Sequence, residues 1–342
     1  MWLRNCWYVI AWAHEIPAAD DDKLFTRKVL NEPILVYRTA NGQLVAMADK
    51  CCHRHAPLSV GRREGDSVRC GYHGMLYNAQ GQCTELPGAD HPPPKACVKT
   101  YPLVVKNNWV FVWMGDPAQA DPLMLPDNFS CAHADWVNIP GYLHYDTPYL
   151  LIADNLLDFS HLSYVHARTL GGTPAIAQAR PTVETVNTAG QRGVKVTRSI
   201  PDVKAPPFYQ RFRSFDTHLD RWFDYEFLLP STLLMHSGGR PVGDADDSRA
   251  VRLHSCQTLT PETETSTHYF FQQSHPAGVE DESIKQIIFN ALVEAFNEDR
   301  DMITAQFNNL SPHAEEQMMP LHFDTALVRF RKILKEAVDA EK

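Results

Sequence analysis

The 342-residue sequence has no apolar run of the length a membrane-spanning helix needs, about 20 residues. It also has no internal repeat and no low-complexity tract. The first absence excludes a helical membrane anchor, and the second excludes solenoid and array architectures. Positive charge is in short supply: 32 Lys and Arg against 41 Asp and Glu give a net charge of -9 and a pI near 5.9. Nucleic acid and anionic membrane are therefore excluded as main partners. Cysteine spacing of the kind that frames disulfides is missing as well. The eight cysteines are scattered, which points to a reducing, cytoplasmic setting.

Two features near the N-terminus superficially resemble export signals. The apolar run from Cys6 to Ala13 contains two Trp and one Tyr and only Arg4 precedes it, so it reads as a strand rather than a signal-peptide core. The Arg62-Arg63 pair lies inside the chain and is not a twin-arginine signal. What remains is an ordinary globular composition, 44% apolar and 21% charged, at a length that suits about two domains.

Two short loops stand out. Cys51-Cys52-His53-Arg54-His55-Ala56-Pro57-Leu58 carries a C-x-H pair, and Cys70-Gly71-Tyr72-His73-Gly74 carries a C-x-x-H pair. Two Cys and two His suit either one tetrahedral zinc or a Rieske [2Fe-2S] cluster, which needs two Cys on one iron and two His on the other. One thiolate and one imidazole per loop favours the second sorting, since zinc sites usually pair their thiolates in C-x-x-C. Pro57, Gly71 and Gly74 stiffen the loops and let backbone N-H groups approach bridging sulfides. This stretch resembles the Rieske motif of the Rieske non-haem iron oxygenases, and the resemblance makes Cys51, His53, Cys70 and His73 the cluster ligands. Cys52 and His55 depart from that pattern, where Pro and Gly are usual.

Residues 34–38, 44–48 and 109–114 read as strands, with turns at Asn41-Gly42, Gln80-Gly81 and Asn107-Asn108. Residues 1–117 are thus expected to form an all-β domain with both cluster loops at hairpin ends, and residues 118–140 a linker. Residues 141–342 form the second domain: a strand at 146–151, a helix at 152–166, strands alternating with polar loops over 181–273, and a long helix at 282–310.

The 152–166 segment holds Asp154, Asp158, His161 and His166. Asp154, Asp158 and His161 share one helical face, while His161 and His166 are five apart and need a widened turn to meet. On the long helix, Ile284, Ile288, Leu292, Phe296, Asp299 and Ile303 follow one stripe, so Asp299 points toward the core while Glu298 and Asp301 are expected to face solvent. A buried carboxylate needs a cation, and either a metal or an Arg would serve. Two imidazoles and one carboxylate form the facial triad of mononuclear Fe(II) oxygenases.

The resemblance extends over nearly the whole chain, on the Asp154 to His166 element, the Asn297-Glu298-Asp299-Arg300 element, Arg4-Asn5-Cys6-Trp7-Tyr8-Val9 and Thr260-Pro261-Glu262-Thr263-Glu264. It is strongest to the branch containing toluenesulfonate methyl-monooxygenase and the vanillate and dicamba O-demethylases. It implies an α+β chain, with an all-β Rieske domain followed by a helix-grip-like antiparallel sheet whose helices hold the iron. By the same resemblance His161, His166 and Asp299 bind Fe(II), and Asp158 is the catalytic bridge, accepting from His161 and from His73 of the next subunit in a homotrimer. The implied reaction is methyl hydroxylation or oxidative O-demethylation of an aromatic acid. It uses O2 and electrons from NAD(P)H through a reductase with flavin and ferredoxin-type domains. Asn155, Met235, Gln257 and Asn290 are the expected pocket positions, and Arg211, Arg213 and Arg221 are equal candidates to meet an anionic substrate. A ring-hydroxylating dioxygenase and an electron-transfer or zinc module without oxygen chemistry are the competing readings.

Overall fold

The computed structural model describes residues 2–188, 190–211, 213–278, 282–310 and 319–342. Backbone contacts divide the chain into two compact units. One comprises residues 2–120 with 262–264, the other residues 121–261 with 265–342.

The first unit is built of three small antiparallel sheets. Strands Trp7–Trp12, Trp109–Trp113 and Leu103–Lys106 form one, and Phe25–Val29, Glu32–Arg38, Leu44–Ala48 and Thr100–Tyr101 form the second. The third contains Arg62–Glu64, Ser67–Arg69, Leu76–Tyr77 and Cys83–Glu85. The aromatic N-terminal run is a fully buried strand, with Trp7 and Trp12 opposite Trp113 and Trp109. Leu35, Tyr37, Met47, Leu58, Val68 and Tyr77 make a core that also includes Cys51 and Cys70, so the cluster loops rise directly from packed apolar side chains.

The second unit contains an antiparallel sheet in the order Trp136–Val137, Thr267–Pro276, Val251–Pro261, Thr232–Pro241, Leu219–Leu228, Gln191–Val203 and Thr182–Thr188. Strand Gly141–Tyr145 also pairs with Thr267–Pro276. Alternation is clear in Leu219–Leu228, where Leu219, Arg221, Phe223, Tyr225 and Phe227 are all buried and the residues between them are partly exposed. Helix α1 (Tyr149–Leu157) packs against α3 (Glu282–Asn309) and α4 (Thr325–Asp339), and all three lie on the sheet, while α2 (Pro174–Gln178) is one short turn. Among the described residues, no helix is long and apolar enough to cross a membrane.

Three expectations change here. Of residues 118–140, expected as a linker, 121–140 are built into the second unit: Trp136 and Val137 pair with Pro276 and His275, and Ser130 and Cys131 are buried. The strand expected at 146–151 ends at Tyr145, because Pro148 starts α1 in that stretch. The single helix expected over 152–166 is two pieces. Asp158 adopts an extended backbone conformation (φ -129°, ψ 100°) that ends α1 and caps a 3-10 turn over Phe159–Ser163.

Candidate metal centres

Each cluster loop is pinned by its own backbone. Cys51 N donates to Ala56 O (2.9 Å) and His55 N to Cys51 O (3.0 Å), while Cys70 N donates to Met75 O (2.8 Å) and Gly74 N to Cys70 O (3.1 Å). Gly74 has φ +76°, and a Cβ there would lie 2.9 Å from Pro87. His55 sits at φ +58°, a left-handed conformation that accounts for the usual Gly at this place. Asp49 anchors the first loop through Ser59 N (2.7 Å) and Ser59 Oγ (2.6 Å).

The four donors fall into two pairs. Cys51 and Cys70 are each 2% exposed with thiols in mutual hydrogen-bonding reach, and burial pushes the Cys70 thiol up. His53 and His73 lie exposed with ring centroids 4.6 Å apart. Among the described residues, only His161, His166 and Asp299 bring three or more such ligand atoms within 4.8 Å of one another. The cluster quartet is therefore not gathered around one point as tetrahedral zinc requires, and a thiol pair inside with an imidazole pair outside fits a two-iron cluster. Sequence reasoning missed Tyr77. Its fully buried hydroxyl lies 3.1 Å from Cys51 Sγ and 3.2 Å from Cys52 Sγ.

The second centre draws on two distant segments. The Asp158 break turns the chain so that both imidazoles converge on Asp299 of α3: Asp299 Oδ1 lies 3.5 Å from His161 Nε2 and 3.1 Å from His166 Nε2. Asp299 is 5% exposed on the expected apolar stripe, and no Lys or Arg lies within 4 Å of it among the described residues. A buried carboxylate facing two imidazole nitrogens, with no guanidinium to compensate it, is a fitting seat for a divalent iron. Asn155 Nδ2 donates to Asp299 Oδ1 at 3.0 Å and orients the carboxylate.

Each imidazole is oriented through its other nitrogen. His161 Nδ1 donates to the Asp158 carbonyl oxygen (2.5 Å), and His166 Nδ1 donates to Glu298 Oε2 (2.8 Å), which also accepts from Thr169 Oγ1 (2.7 Å). Both Nε2 atoms are thereby left to face Asp299. Burial pulls His161 below the ordinary histidine value. Burial acts the same way on His166, but Asp299 and Glu298 outweigh it and raise the net value.

Several expected roles are corrected. Glu298 is not a solvent-facing residue but the acceptor for His166; its reach, not its helical angle, brings it in. Asp154 leaves the iron side altogether and pairs with Arg331 of α4, Nε to Oδ1 at 2.8 Å. The Asp158 carboxylate does not touch His161: it accepts from Ser160 N (2.9 Å) and Ser160 Oγ (2.5 Å) and lies 3.6 Å from Arg198, and only its carbonyl reaches His161.

The iron triad lines a cleft, part of it open to solvent, walled by Phe159, Phe223, Met235, Leu253, Leu292 and Phe296. Asn155, Met235 and Gln257 line it as expected. Asn290 does not; it is exposed and accepts from Gln286 of its own helix at 2.9 Å. Gln257 is already engaged, giving Nε2 to Ser255 Oγ (2.9 Å) and accepting from Tyr269. Of the three arginines, Arg221 lines the cleft, Arg213 is exposed and donates to Ser248 O, and the Arg211 side chain lies outside the described residues.

The profile described as the Rieske [2Fe-2S] domain matches residues 6–102, and the one described as the vanillate O-demethylase oxygenase C-terminal domain matches residues 145–340. The chain belongs to the Rieske oxygenases. This Rieske oxygenase is 42% identical to the toluene-4-sulfonate monooxygenase system iron-sulfur subunit of Comamonas testosteroni, over 100% of this chain and 98% of that one. It is 32% identical to the dicamba O-demethylase oxygenase component of Stenotrophomonas maltophilia, over 89% and 87%. Among solved structures it resembles dicamba monooxygenase bound to 3,6-dichlorosalicylic acid, with a TM-score of 0.89 and 29% identity over 99% of this chain and 98% of that one. It is accordingly the oxygenase component of a multicomponent monooxygenase, an oxidoreductase whose cofactors are a Rieske [2Fe-2S] cluster and mononuclear non-haem iron.

Proposed function

We propose that this terminal oxygenase hydroxylates a methyl or O-methyl group of an aromatic acid, with O2 and with electrons from NAD(P)H passed on by a flavin- and ferredoxin-type reductase. The observation that carries the proposal is the buried His161, His166 and Asp299 triad opening into a cleft with aromatic and aliphatic walls. Relatives named for toluene-4-sulfonate, vanillate and dicamba support the substrate class.

Cys51, Cys70, His53 and His73 would hold the cluster, and His161, His166 and Asp299 the iron. When bound, the cluster supplies stored electrons and the iron supplies activation of O2 for insertion into a C-H bond. Around them the chain does the positioning. Glu298 and the Asp158 carbonyl fix the imidazole tautomers, Asn155 orients Asp299, and the apolar walls would hold a flat ring with its methyl carbon toward the triad. Asp158 ties to His161 through its carbonyl, and its carboxylate, 14% exposed, is the group we assign to meet the partner subunit's His73 in a homotrimer. The six cysteines outside the cluster pair, none of them in a disulfide, support a cytoplasmic location.

The test is product analysis with NADH, a reductase, O2 and a panel of methyl- and methoxy-substituted benzoates and benzenesulfonates. A benzyl alcohol, or formaldehyde with a phenol, is the expected outcome. A cis-dihydrodiol would make the enzyme a ring dioxygenase, and no oxygenated product from any member would sink the proposal. Light scattering giving a mass other than three chains or a multiple of three would remove the trimer.

A further inference from the structure

Arg221 is a charged residue in an apolar position. The alternation of its strand turns it inward with Leu219, Phe223, Tyr225 and Phe227, and it is 4% exposed. A buried guanidinium normally finds a carboxylate, as Arg198 does with Asp158 at 3.6 Å while giving Nη1 to Ile176 O at 2.6 Å. For Arg221 there is none: among the described residues no Asp or Glu lies within 4 Å of it. Among the described residues its one hydrogen bond is a long contact from Nη1 to Gly171 O at 3.4 Å, and Nε is buried without a partner.

The surroundings hold the group in place without satisfying it. The rings of Tyr209 and Phe223 lie 5.1 and 5.5 Å from its Cζ, positions that attract the cation but leave its N-H donors unused. Arg221 lines the same cleft as His161, His166 and Asp299, and Ser237, opposite Phe223 on the neighbouring strand, adds a hydroxyl to that lining. The charge is therefore presented to whatever fills the cleft.

We propose that Arg221 is the specificity residue of this cleft, receiving the carboxylate or sulfonate of the aromatic substrate through its unpaired N-H donors. The inference rests on the oxygenase reading of the site and names how that site selects its substrate. A guanidinium has five donors and no acceptor, and in a desolvated slot an oxyanion is the partner that satisfies both its charge and its hydrogen bonds. A neutral arene of the same shape would fill the walls and leave the charge bare. Recognition of this kind discriminates strongly, because the penalty falls on the ligand that lacks the group.

The experiment is calorimetric binding to the intact, metal-loaded enzyme without reductase, so that no turnover occurs. The probes are two matched pairs, 4-methylbenzenesulfonate with 4-methylbenzenesulfonamide and 4-methylbenzoate with 4-methylbenzamide. At least one acid should bind about 30-fold more tightly than its neutral partner, and the better acid identifies the oxyanion. Arg221→Met should erase that preference while leaving affinity for the neutral compounds within about threefold, and Arg221→Lys should restore part of it. Arg221→Met should also melt no lower than the wild type, whereas a residue that merely held Gly171 would be missed.

An acid preference that survives Arg221→Met, or a wild type that binds neither acid or does not distinguish acid from amide, overturns the inference. The wild-type comparison alone suffices if the Met variant does not fold. Hydroxylation of neutral and acidic arenes alike would remove Arg221 from recognition and leave the oxygenase reading standing. Tight Arg221-dependent acid binding with no oxygenated product would do the reverse.

Discussion

The two metal centres solve the same problem, gathering donor atoms at a fixed place, by opposite routes. The candidate cluster site draws its four donor residues from two loops of the small β unit, each loop closed on itself by hydrogen bonds between Cys51 and Ala56 and between Cys70 and Met75. Its thiols are buried and its imidazoles exposed. The iron site takes two imidazoles from a broken helix and a carboxylate from a helix far along the chain, and it orients them with a third tier of Asn155, Thr169 and Glu298. A locally closed site survives small movements of the domain around it, whereas a site assembled across a fold depends on the packing of every element that contributes. The first suits a group that exchanges electrons at a surface, and the second suits chemistry that must exclude water.

Removing ligands should separate the two centres most sharply. His161→Ala or Asp299→Ala is expected to abolish turnover and empty the mononuclear site, while the visible spectrum and the acid-labile sulfide of the cluster are unchanged. Cys70→Ala should do the converse, bleaching the protein but leaving one iron bound. Loss of both metals from either variant, read by iron and sulfide analysis, would show that the sites are not independent.

The outer tier of the iron site should matter next. Glu298→Ala removes the acceptor for His166 Nδ1 and should weaken iron affinity by about 10- to 100-fold. Glu294→Ala, one turn earlier on α3, should leave affinity unchanged. Titration of the apoprotein with Fe(II) or Co(II) under anaerobic conditions measures both, and equal affinities in the two variants would return Glu298 to an ordinary surface role.

A smaller effect is expected at the cluster, where support comes from a single hydroxyl. Tyr77→Phe deletes a hydrogen bond to Cys51 sulfur that favours the more negative, reduced cluster, so the potential should fall by roughly 40 mV, the equivalent of about 1 kcal/mol for one electron. Redox titration followed by electron paramagnetic resonance decides it; an unchanged potential would mean that the hydroxyl does not donate to the sulfur.

The smallest effect should come from histidines in neither centre. His254 stacks on His236, with ring centroids 4.7 Å apart, and burial together with that neighbour pulls its pKa to about 4. The folded chain therefore keeps His254 neutral where the unfolded chain, with an ordinary value near 6.5, takes up a proton. Stability should fall as the pH drops from about 6.5 toward 4, by about 1 kcal/mol at pH 5 for this partly exposed ring. His254→Gln should flatten that part of the curve in denaturant titrations at several pH values, and an unchanged slope would place the loss elsewhere.

The sequence by itself determined whatever depended on short spacing or on regular period. The C-x-H and C-x-x-H pairs mark a four-donor metal site because a loop of a few residues leaves its side chains little choice of neighbours. The four-four-four-three-four stripe on α3 identifies Asp299 because a helix repeats its faces regardless of what it packs against. The alternation through Leu219, Phe223, Tyr225 and Phe227 carried the signal for Arg221 too, but a charge at an inward position is informative only once it is known that no acid meets it.

Only the tertiary structure decided the rest. Glu298 lies one residue off the buried stripe, and periodicity reports the direction of a Cβ rather than how far a long side chain reaches. Asp154 and Asp158 share a face only in an unbroken helix, and the extended conformation at Asp158 sends one to Arg331 and lets the other's carbonyl orient His161. Asn290 and Gln257 looked alike as polar residues, yet one is turned to solvent and the other is held by Ser255 and Tyr269. Each of these outcomes depends on which distant element arrives beside the residue, and local sequence has no term for that.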